Sequence, residues 1–514
     1  MQKRYANCKR SGVGAFWREE TGFFQLLLFH ASFYRDARVV KILLAFFANT
    51  CANFVIGLLI AKFLGPDEYG RFALAFAIHV VVQTALYDWL KFSTTRFYST
   101  RTRNSAPEIR ATLAVSFIII TIALFALAGL YALTGPSLNF ESNLILLALL
   151  LAAANGLFDY STALARARFD DHVYGQLVFV KNLLALIFIG GGAFVFHSAA
   201  VALAGTLVSL FATYLFGRRA LHDPGLSFQA ARSETARKLI AYSTPIVMAL
   251  LLYHAMPLAA RAIAARVYDF AETGQLSLAY DVGMRAMMAF GSALDVLLFQ
   301  IAVAKHEIDG VDRAKAQVAD NMSIVFVILL PACVGLGAVL PSVEALVVPT
   351  QFHGPFRHYL GLLLPGLFAI GFVNFGVNPI FQIEKKTAPL VIAAATAVFV
   401  SILLVFILPW GQDASNLAIA QAGGYLAALA VTIFFACRAQ AIWPSWRDLG
   451  LASLGVIFMY IAISLFSSLT PGFRALVTQI LTGGVIYGLF VVIFDIARLR
   501  SHAVAWLRPF IAPS

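Results

Sequence analysis

Fourteen apolar runs, each of about 20 residues, constrain the fold of this chain more than any other feature of its sequence. A helix of that length crosses the hydrocarbon core of a membrane. Charged residues make up only 12% of the chain, whereas soluble domains contain roughly 25%. We therefore predict an all-α polytopic membrane protein with spans at 40–63, 72–97, 111–133, 144–165, 176–196, 200–217, 239–263, 275–303, 318–340, 358–383, 388–409, 416–437, 449–469 and 474–496.

The basic residues predict the orientation of these spans. The chain has 38 Lys and Arg against 26 Asp and Glu, a net charge of +12. With a cytoplasmic N-terminus, the basic residues that lie in outside segments are only Lys62, Arg71, Arg261, Arg266, Arg357 and Arg474. Cytoplasmic segments of membrane proteins carry this kind of excess. We therefore predict that both termini are cytoplasmic, and we interpret the positive charge as a topology signal without a nucleic-acid partner.

The N-terminal segment and the cysteines suggest neither a span nor a metal site. The apolar run Phe23–Phe33 is too short to cross a membrane, so we predict an interfacial helix there. Cys8, Cys51, Cys333 and Cys437 have no CxxC or metal-like spacing, so no disulfide framework and no metal are expected.

A short internal repeat predicts two related halves. The segment "FLGPDEYGRFALAF" after the first span resembles "VYDFAETGQLSLAY" after the seventh, with Glu68, Gly70, Leu74 and Ala75 at the positions of Glu272, Gly274, Leu278 and Ala279. Six spans per repeat give both halves the same polarity, so we predict two six-helix lobes with a cavity between them. The predicted units are 1–39 (N-terminal segment), 40–217 (N-lobe), 218–238 (cytoplasmic linker), 239–437 (C-lobe) and 438–514 (two further helices and a basic tail).

Several segments resemble the polysaccharide transporters, the O-antigen-type flippases of lipid-linked oligosaccharides, within the superfamily that includes the MATE exporters and lipid II flippases. The likeness covers most of residues 40–440 and is carried by "NFVIGLLIAKFLGPDEYGRFALAFAI" (53–78), residues 237–288, "ALARARFDDHVYGQL" (163–177) and "NPIFQIEKKTAPLVI" (378–392). One departure is Ala260–Arg261, where this family often has an Asp-Arg pair.

This resemblance implies a flippase of the bacterial inner membrane that works in O-antigen, lipopolysaccharide, exopolysaccharide or capsule biosynthesis. Its substrate would be a polyprenyl-diphosphate-linked oligosaccharide. Its partners would be membrane lipids and a polymerase or glycosyltransferases of the same pathway.

The eighth predicted span carries the main candidate site. Asp281, Arg285, Met288, Ser292 and Asp295 recur at helical spacing and share one face. A guanidinium near the membrane midplane is expensive unless it faces a cavity or a partner. Arg285 is therefore either a clamp for a diphosphate or an acidic sugar, or the partner of Asp281 in an i,i+4 ion pair.

Five further candidates lie in the first, second and seventh spans. Asn49 and Asn53 either line the cavity or bond neighbouring helices. Asp88 either pairs with a snorkelling Lys91 or faces the cavity as a carboxylate for proton or sodium coupling.

In the seventh span, His254 either titrates or packs, and Arg261 either joins the site or is interfacial. The same span contains Pro245 and Pro257, which makes it a candidate bending element.

The absence of several sequence motifs narrows the range of possible functions. No G-x-x-x-x-G-K-[ST], HExxH or GxSxG sequence is present, and no predicted outside loop is long enough for a reactive site, so an enzyme is not expected. No cofactor is expected either, and energy would come from a proton or sodium gradient or from substrate supply. Two alternatives stay open: a MATE-type cation-coupled multidrug exporter, and a non-transporting partner of a polysaccharide synthase.

Overall fold

The computed structural model describes residues 37–99, 105–134, 140–223, 226–383, 387–439 and 442–501, without the side chains of 37–51 and of parts of 292–311. All regular secondary structure in these ranges is helical, and the ranges contain no strand. The long helices are α1 (Ala37–Leu86), α2 (Asp88–Phe97), α3 (Pro107–Thr134), α4 (Ser142–Ala167), α5 (Asp171–Phe196), α6 (Ala199–Gly217), α7 (Ser233–Val267), α8 (Phe270–Asp309), α9 (Val311–Val347), α10 (Pro355–Ile383), α11 (Ala388–Ile407), α12 (Ser415–Arg438), α13 (Trp446–Ser464) and α14 (Phe473–Phe494). The interfacial helix predicted at 23–33 lies outside the described residues.

Helix α1 folds back on itself at Gly65. This glycine has φ 72° and ψ 174°, a backbone conformation that other residues rarely adopt. Asn53 and His79, which a straight helix would hold roughly 39 Å apart, line the same cavity. The two arms of α1 therefore run antiparallel, and α2 continues the second arm.

The prediction of an all-α polytopic membrane protein is confirmed. Twelve helices among the described residues are long and apolar enough to cross a membrane. The fold-back at Gly65 divides the first of them into two arms, and α8, which carries Asp281 and Arg285, is a further long helix outside these twelve. The chain is thus a multi-pass membrane protein. Its orientation and the boundaries of its predicted units stay predictions.

Small residues lie where the helices contact each other inside the lobes, and large apolar residues cover the outer surface. Helices α11 and α12 make the densest helix pair, and Ala393, Ala394 and Ala397 are fully buried there. Small side chains let helix backbones approach closely within a membrane. Large side chains such as Ile122, Leu127 and Phe406 are exposed instead, as expected for a surface that faces lipid.

The repeat-related residues occupy matching places in the two halves. Glu68 accepts a hydrogen bond from the backbone N–H of Ala199 (2.7 Å), where α6 begins, and Glu272 accepts one from Ala414 (2.8 Å), just before α12. Both helices are the sixth of their half. A carboxylate at a helix N-terminus satisfies an unpaired N–H and complements the helix dipole.

The lobes meet where the repeated glycines face each other. A Cβ on Gly70 would lie 1.9 Å from the carbonyl oxygen of Phe270, and a Cβ on Gly274 would lie 2.0 Å from that of Pro66. Helix α8 packs against α1, and α7 packs against α1 and α2, while α13 and α14 pack on α9 outside the repeat. The interface between the lobes is therefore built from α1, α2, α7 and α8.

Candidate functional site

A cavity of about 140 Å³ lies in the N-lobe, where Asp281 and Arg285 of α8 border it from the C-lobe. That volume has room for roughly ten water molecules. Apolar and small side chains of α1, α5 and α6 line much of it. The ionisable and amide side chains that reach it are Asn53, Tyr69, His79, Asn155, Lys181, Asp281 and Arg285.

Arg285 projects from α8 into this cavity and bonds to the opposite lobe. Its Nη1 donates to the backbone carbonyl of Asn53 at 2.7 Å. Gly57 makes room for the guanidinium, because a Cβ there would come within 2.2 Å of Nη1. Arg285 forms no salt bridge to any side chain that the structure describes. Most of its five N–H donors are thus available to a ligand.

Lys181 is a second cation of the cavity, and it enters from the N-lobe. Its Nζ donates to Oδ1 of Asn53 at 2.9 Å and to Oδ1 of Asn182 at 3.1 Å. This lysine lies within the predicted span 176–196, and the sequence analysis assigned it no role. The signal was present, since an ionisable residue inside a membrane span is a functional candidate by default. Asn53 therefore lies at the cavity and also bonds to two neighbouring helices, where it joins cations from both lobes.

Asp281 pairs with Arg261 and not with Arg285. Nη2 of Arg261 lies 2.5 Å from Oδ1 of Asp281, and the hydroxyl of Tyr69 donates to Oδ2 at 3.3 Å. Nη1 of Arg261 donates to the carbonyl of Ala73 at 3.0 Å. The i,i+4 pair within α8 is therefore not formed, because α7 brings a competing guanidinium closer.

Arg261 is also buried, which corrects its interfacial interpretation. Only 5% of the residue is exposed. The carboxylate that the resemblance expects at Ala260 comes instead from Asp281 on the next helix. Arg266, by contrast, is exposed.

Asp88 belongs to an ionic cluster inside the N-lobe. Nζ of Lys91 lies 3.0 Å from Oδ1 of Asp88 and 3.1 Å from Oδ2 of Asp159. Nε2 of Gln83 donates to both carboxylates, at 3.5 and 3.1 Å, and Asn155 donates to Oε1 of Gln83. The predicted Asp88–Lys91 pair therefore exists, but Asp159 joins it as a third member, and Asp88 is only 5% exposed.

Four further candidate residues lie in α1, α7 and α8. His254 is half-buried on α7, within electrostatic range of Asp88 and Lys91. Helix α7 runs through Pro245 and Pro257 as one continuous helix, and its role as a bending element stays a prediction. Asn49 lies in α1, and Ser292 and Asp295 lie in α8, but the structure does not describe their side chains.

Comparison with solved structures identifies proteins of the same architecture. A structure titled lipid II flippase MurJ, in an inward closed conformation, matches with a TM-score of 0.69 over 89% of this chain and 99% of its own length, at 16% identity. An inward-facing MATE multidrug transporter of the MOP superfamily matches with a TM-score of 0.56 over 76% of this chain and 95% of its own length, at 16% identity. A mutant of a Vibrio cholerae MATE transporter matches with a TM-score of 0.51 over 78% and 96%, at 13% identity.

Sequence comparison adds no relative, since neither a protein-family model nor a curated protein matches this chain. The matched structures are transporters and a flippase, not enzymes. Their identities are low, but the matches cover nearly the full length of each of these proteins. The chain therefore has the fold that the lipid II flippase shares with the MATE transporters of the MOP superfamily.

Proposed function

We propose that this protein is a flippase that carries a polyprenyl-diphosphate-linked oligosaccharide across the bacterial inner membrane for surface polysaccharide assembly. The observation that carries the proposal is the pair of cavity cations, Lys181 from the N-lobe and Arg285 from the C-lobe, on either side of Asn53. A diphosphate is a compact dianion, and a guanidinium and an ammonium bind it by charge-assisted hydrogen bonds. A neighbour named as a lipid II flippase supports a lipid-linked substrate.

The size of the cavity requires the lobes to move. A volume of about 140 Å³ is far too small for an oligosaccharide, so the glycan passes only when the lobes separate. The lipid tail would remain in the bilayer while the cations hold the diphosphate. Alternating access would then expose the glycan on the outer side.

The charge of the cavity distinguishes this function from its alternatives. Asp281 is neutralised by Arg261, so Lys181 and Arg285 leave an excess of positive charge. An exporter of organic cations would be hindered by this excess. A non-transporting partner of a synthase would have no use for a cavity that cations of both lobes line.

Replacement of Arg285 tests the proposal in a deletion strain of the source bacterium. We expect Arg285→Ala to abolish surface polysaccharide and to accumulate complete lipid-linked oligosaccharide, because the diphosphate loses its bidentate partner. Arg285→Lys should restore transport only in part, since lysine keeps the charge but loses the planar geometry. Polymer and lipid-linked intermediate are measured together, with the amount of protein in the membrane.

Arg266→Ala is the matched control, because this exposed arginine lies on the neighbouring helix outside the cavity. It should leave both readouts unchanged. Normal surface polymer in the Arg285→Ala strain would contradict the proposal. Loss of polymer without accumulated intermediate would favour the synthase partner.

A further inference from the structure

One side of the second arm of α1 presents a row of aromatic rings to the cavity. Tyr69, Phe72, Phe76 and His79 share one helical face, and all four line the cavity. The rings of Phe72 and Phe76 are stacked, with centroids 5.6 Å apart, and Tyr69 and His79 contact the two ends of this stack. These four side chains form what we call the aromatic wall of the cavity.

His79, at one end of the wall, has a fixed tautomer and one unused ring nitrogen. Its Nδ1 lies 2.9 Å from the backbone carbonyl oxygen of Phe76, which can only accept a hydrogen bond, so Nδ1 carries the proton. Nε2 of the neutral ring is then an acceptor, and it has no hydrogen-bond partner among the described residues. Gln83, one helical turn further, uses its amide nitrogen for two carboxylates and its amide oxygen for Asn155. Nε2 therefore remains available to a donor that enters the cavity.

Three hydroxyl groups of the cavity are also left as acceptors. The hydroxyl of Tyr69 donates to Oδ2 of Asp281 at 3.3 Å. Thr206 and Ser209 of α6 donate to backbone carbonyls of the preceding turn, at 2.9 and 2.8 Å. A hydroxyl group has one proton and two lone pairs, so each of these oxygens can still accept a hydrogen bond. The cavity thus combines two cationic donors with a set of acceptors on neutral side chains.

A diphosphate does not satisfy these acceptors, because its own oxygens are acceptors. The aromatic wall and its acceptors fit a group that has an apolar face and also donates hydrogen bonds. A sugar ring meets both requirements, since its C–H face packs on aromatic rings and its hydroxyl or amide N–H groups donate. Binding pockets commonly combine aromatic walls with a few polar groups that fix the orientation of the ligand.

His79 lies at about the same depth as the cations. Helix α1 folds back at Gly65, and a rise of 1.5 Å per residue places Asn53 about 18 Å and His79 about 21 Å from this turn. Asn53 accepts hydrogen bonds from Lys181 and Arg285. A group that contacts His79 is therefore adjacent to an anion held by these cations. The cavity, at about 140 Å³, leaves no room for sugars further along the chain.

We propose that the aromatic wall binds the sugar attached directly to the diphosphate, and that Nε2 of His79 accepts a hydrogen bond from a hydroxyl or amide N–H of this sugar. This subsite rests on the proposed function, because the cations place the sugar beside it. His79 is then a specificity-determining residue. A site built to bond a substrate hydroxyl discriminates against an analogue that lacks it.

Binding of matched probes to the full chain in lipid nanodiscs tests the subsite. The sugar-free probe is the methyl ester of farnesyl diphosphate, and the other probes carry glucose, galactose or N-acetylglucosamine in place of the methyl group, at the same charge. We expect the wild type to bind at least one sugar-bearing probe about fivefold more tightly than the methyl ester, the contribution of one net hydrogen bond. His79→Phe keeps an aromatic ring without the acceptor. It should lose this gain and bind the methyl ester as the wild type does.

Three further variants complete the test. His79→Gln places an amide oxygen near the position of Nε2 and should keep part of the gain, which shows that the fold is intact. His172→Phe, at an exposed histidine of α5 outside the cavity, should behave as the wild type. Arg285→Ala should weaken the binding of every probe.

The outcomes separate the subsite from the proposed function. Equal affinity of the wild type for all probes, or a gain that persists in His79→Phe, would overturn the subsite and leave the proposed function standing. Weaker binding of the methyl ester by both His79 variants would show that His79 only supports the fold of the cavity, and would also overturn the subsite. No binding of any probe by the wild type would contradict the subsite and the proposed function together.

Discussion

Asn53 is the residue at which the cations of both lobes meet. Its backbone carbonyl accepts from Arg285 and its side-chain oxygen accepts from Lys181. In the proposed function, the oxygens of a bound phosphate group take the positions of these two oxygens. Neutral amide oxygens are weaker acceptors than a phosphate, so the proposed anion replaces them at little cost.

Replacement of Asp281 and replacement of Arg285 should lower the stability by very different amounts. Asp281→Asn leaves the guanidinium of Arg261 buried without its carboxylate, and we expect a loss of about 3 kcal/mol in the free energy of unfolding. Arg285→Gln removes a charge that has no ionic partner among the described residues, so the loss should stay below about 1 kcal/mol. Thermal unfolding of both variants in detergent measures this difference.

A double variant checks the assignment. Arg261→Met in the Asp281→Asn background removes the orphaned charge and should recover much of the lost stability. Equal destabilisation by Asp281→Asn and Arg285→Gln would show instead that Asp281 supports both arginines.

Part of this site could be predicted from the sequence. Arg285 and Asn53 follow from helical spacing and from the cost of polar groups in a membrane, and both lie at the cavity. The partner of Asp281 could not be predicted, because residues at i and i+4 lie close on any helix, while the position of Arg261 depends on how α7 packs against α8. Lys181 was missed because it has no charged neighbour within its own span.

At the scale of elements, the repeat places the same acid at the start of two helices. Glu68 accepts a hydrogen bond from the backbone N–H of Ala199 at the start of α6, and Glu272 accepts one from that of Ala414 just before α12. The hydroxyl of Tyr359 also donates to Glu272. The alignment predicted that these residues correspond. It could not predict their common contact, because that contact joins segments more than 100 residues apart.

Glu272→Ala should therefore destabilise the C-lobe by about 1–2 kcal/mol through loss of the helix cap. Glu68→Ala should cost a similar amount in the N-lobe. Because the two carboxylates bond to different helices and share no partner among the residues that the structure describes, their effects should add in the double variant. Thermal unfolding of the single and double variants measures this, and a strongly non-additive double variant would show that the caps are coupled across the interface.

At the scale of the whole molecule, the lobes touch at two levels. Gly70 and Gly274 meet at the predicted outer end, and Ser93 of α2 meets Ser243 of α7 at the predicted inner end, with 2.9 Å between their hydroxyl oxygens. The inner contact is fully buried and also includes hydrogen bonds to the carbonyls of Leu239 and Trp89. The lobes are thus in contact at both ends of their interface.

A disulfide across the inner contact should stop transport. In a background without the four native cysteines, Ser93→Cys with Ser243→Cys places two thiols at bonding distance. Oxidation should abolish surface polysaccharide, and a reductant should restore it, because alternating access in the proposed flippase requires this contact to open. The single-cysteine variants serve as controls. Normal surface polysaccharide with the oxidised double variant would show that α2 and α7 move as one body.

The overall architecture was the most predictable property of this chain. Apolar runs of span length were sufficient to predict an all-α polytopic membrane protein, and twelve helices of the described residues are long and apolar enough to cross a membrane. The fold-back at Gly65 could be placed only approximately, since the sequence "FLGPDEYG" shows a turn but not its angle. The contacts between lobes could not be predicted, because they join surfaces from distant parts of the chain.

The hydrogen bonds to Asn53 also matter for the return step of the proposed transport cycle, in which the carrier is empty. Two bare cations inside a membrane protein would oppose that return. Asn53 supplies an internal ligand for both cations, which replaces their solvation while the cavity is empty. If the protein is the proposed flippase, its turnover number depends on this asparagine, because a stronger internal ligand would delay loading and a weaker one would delay the return.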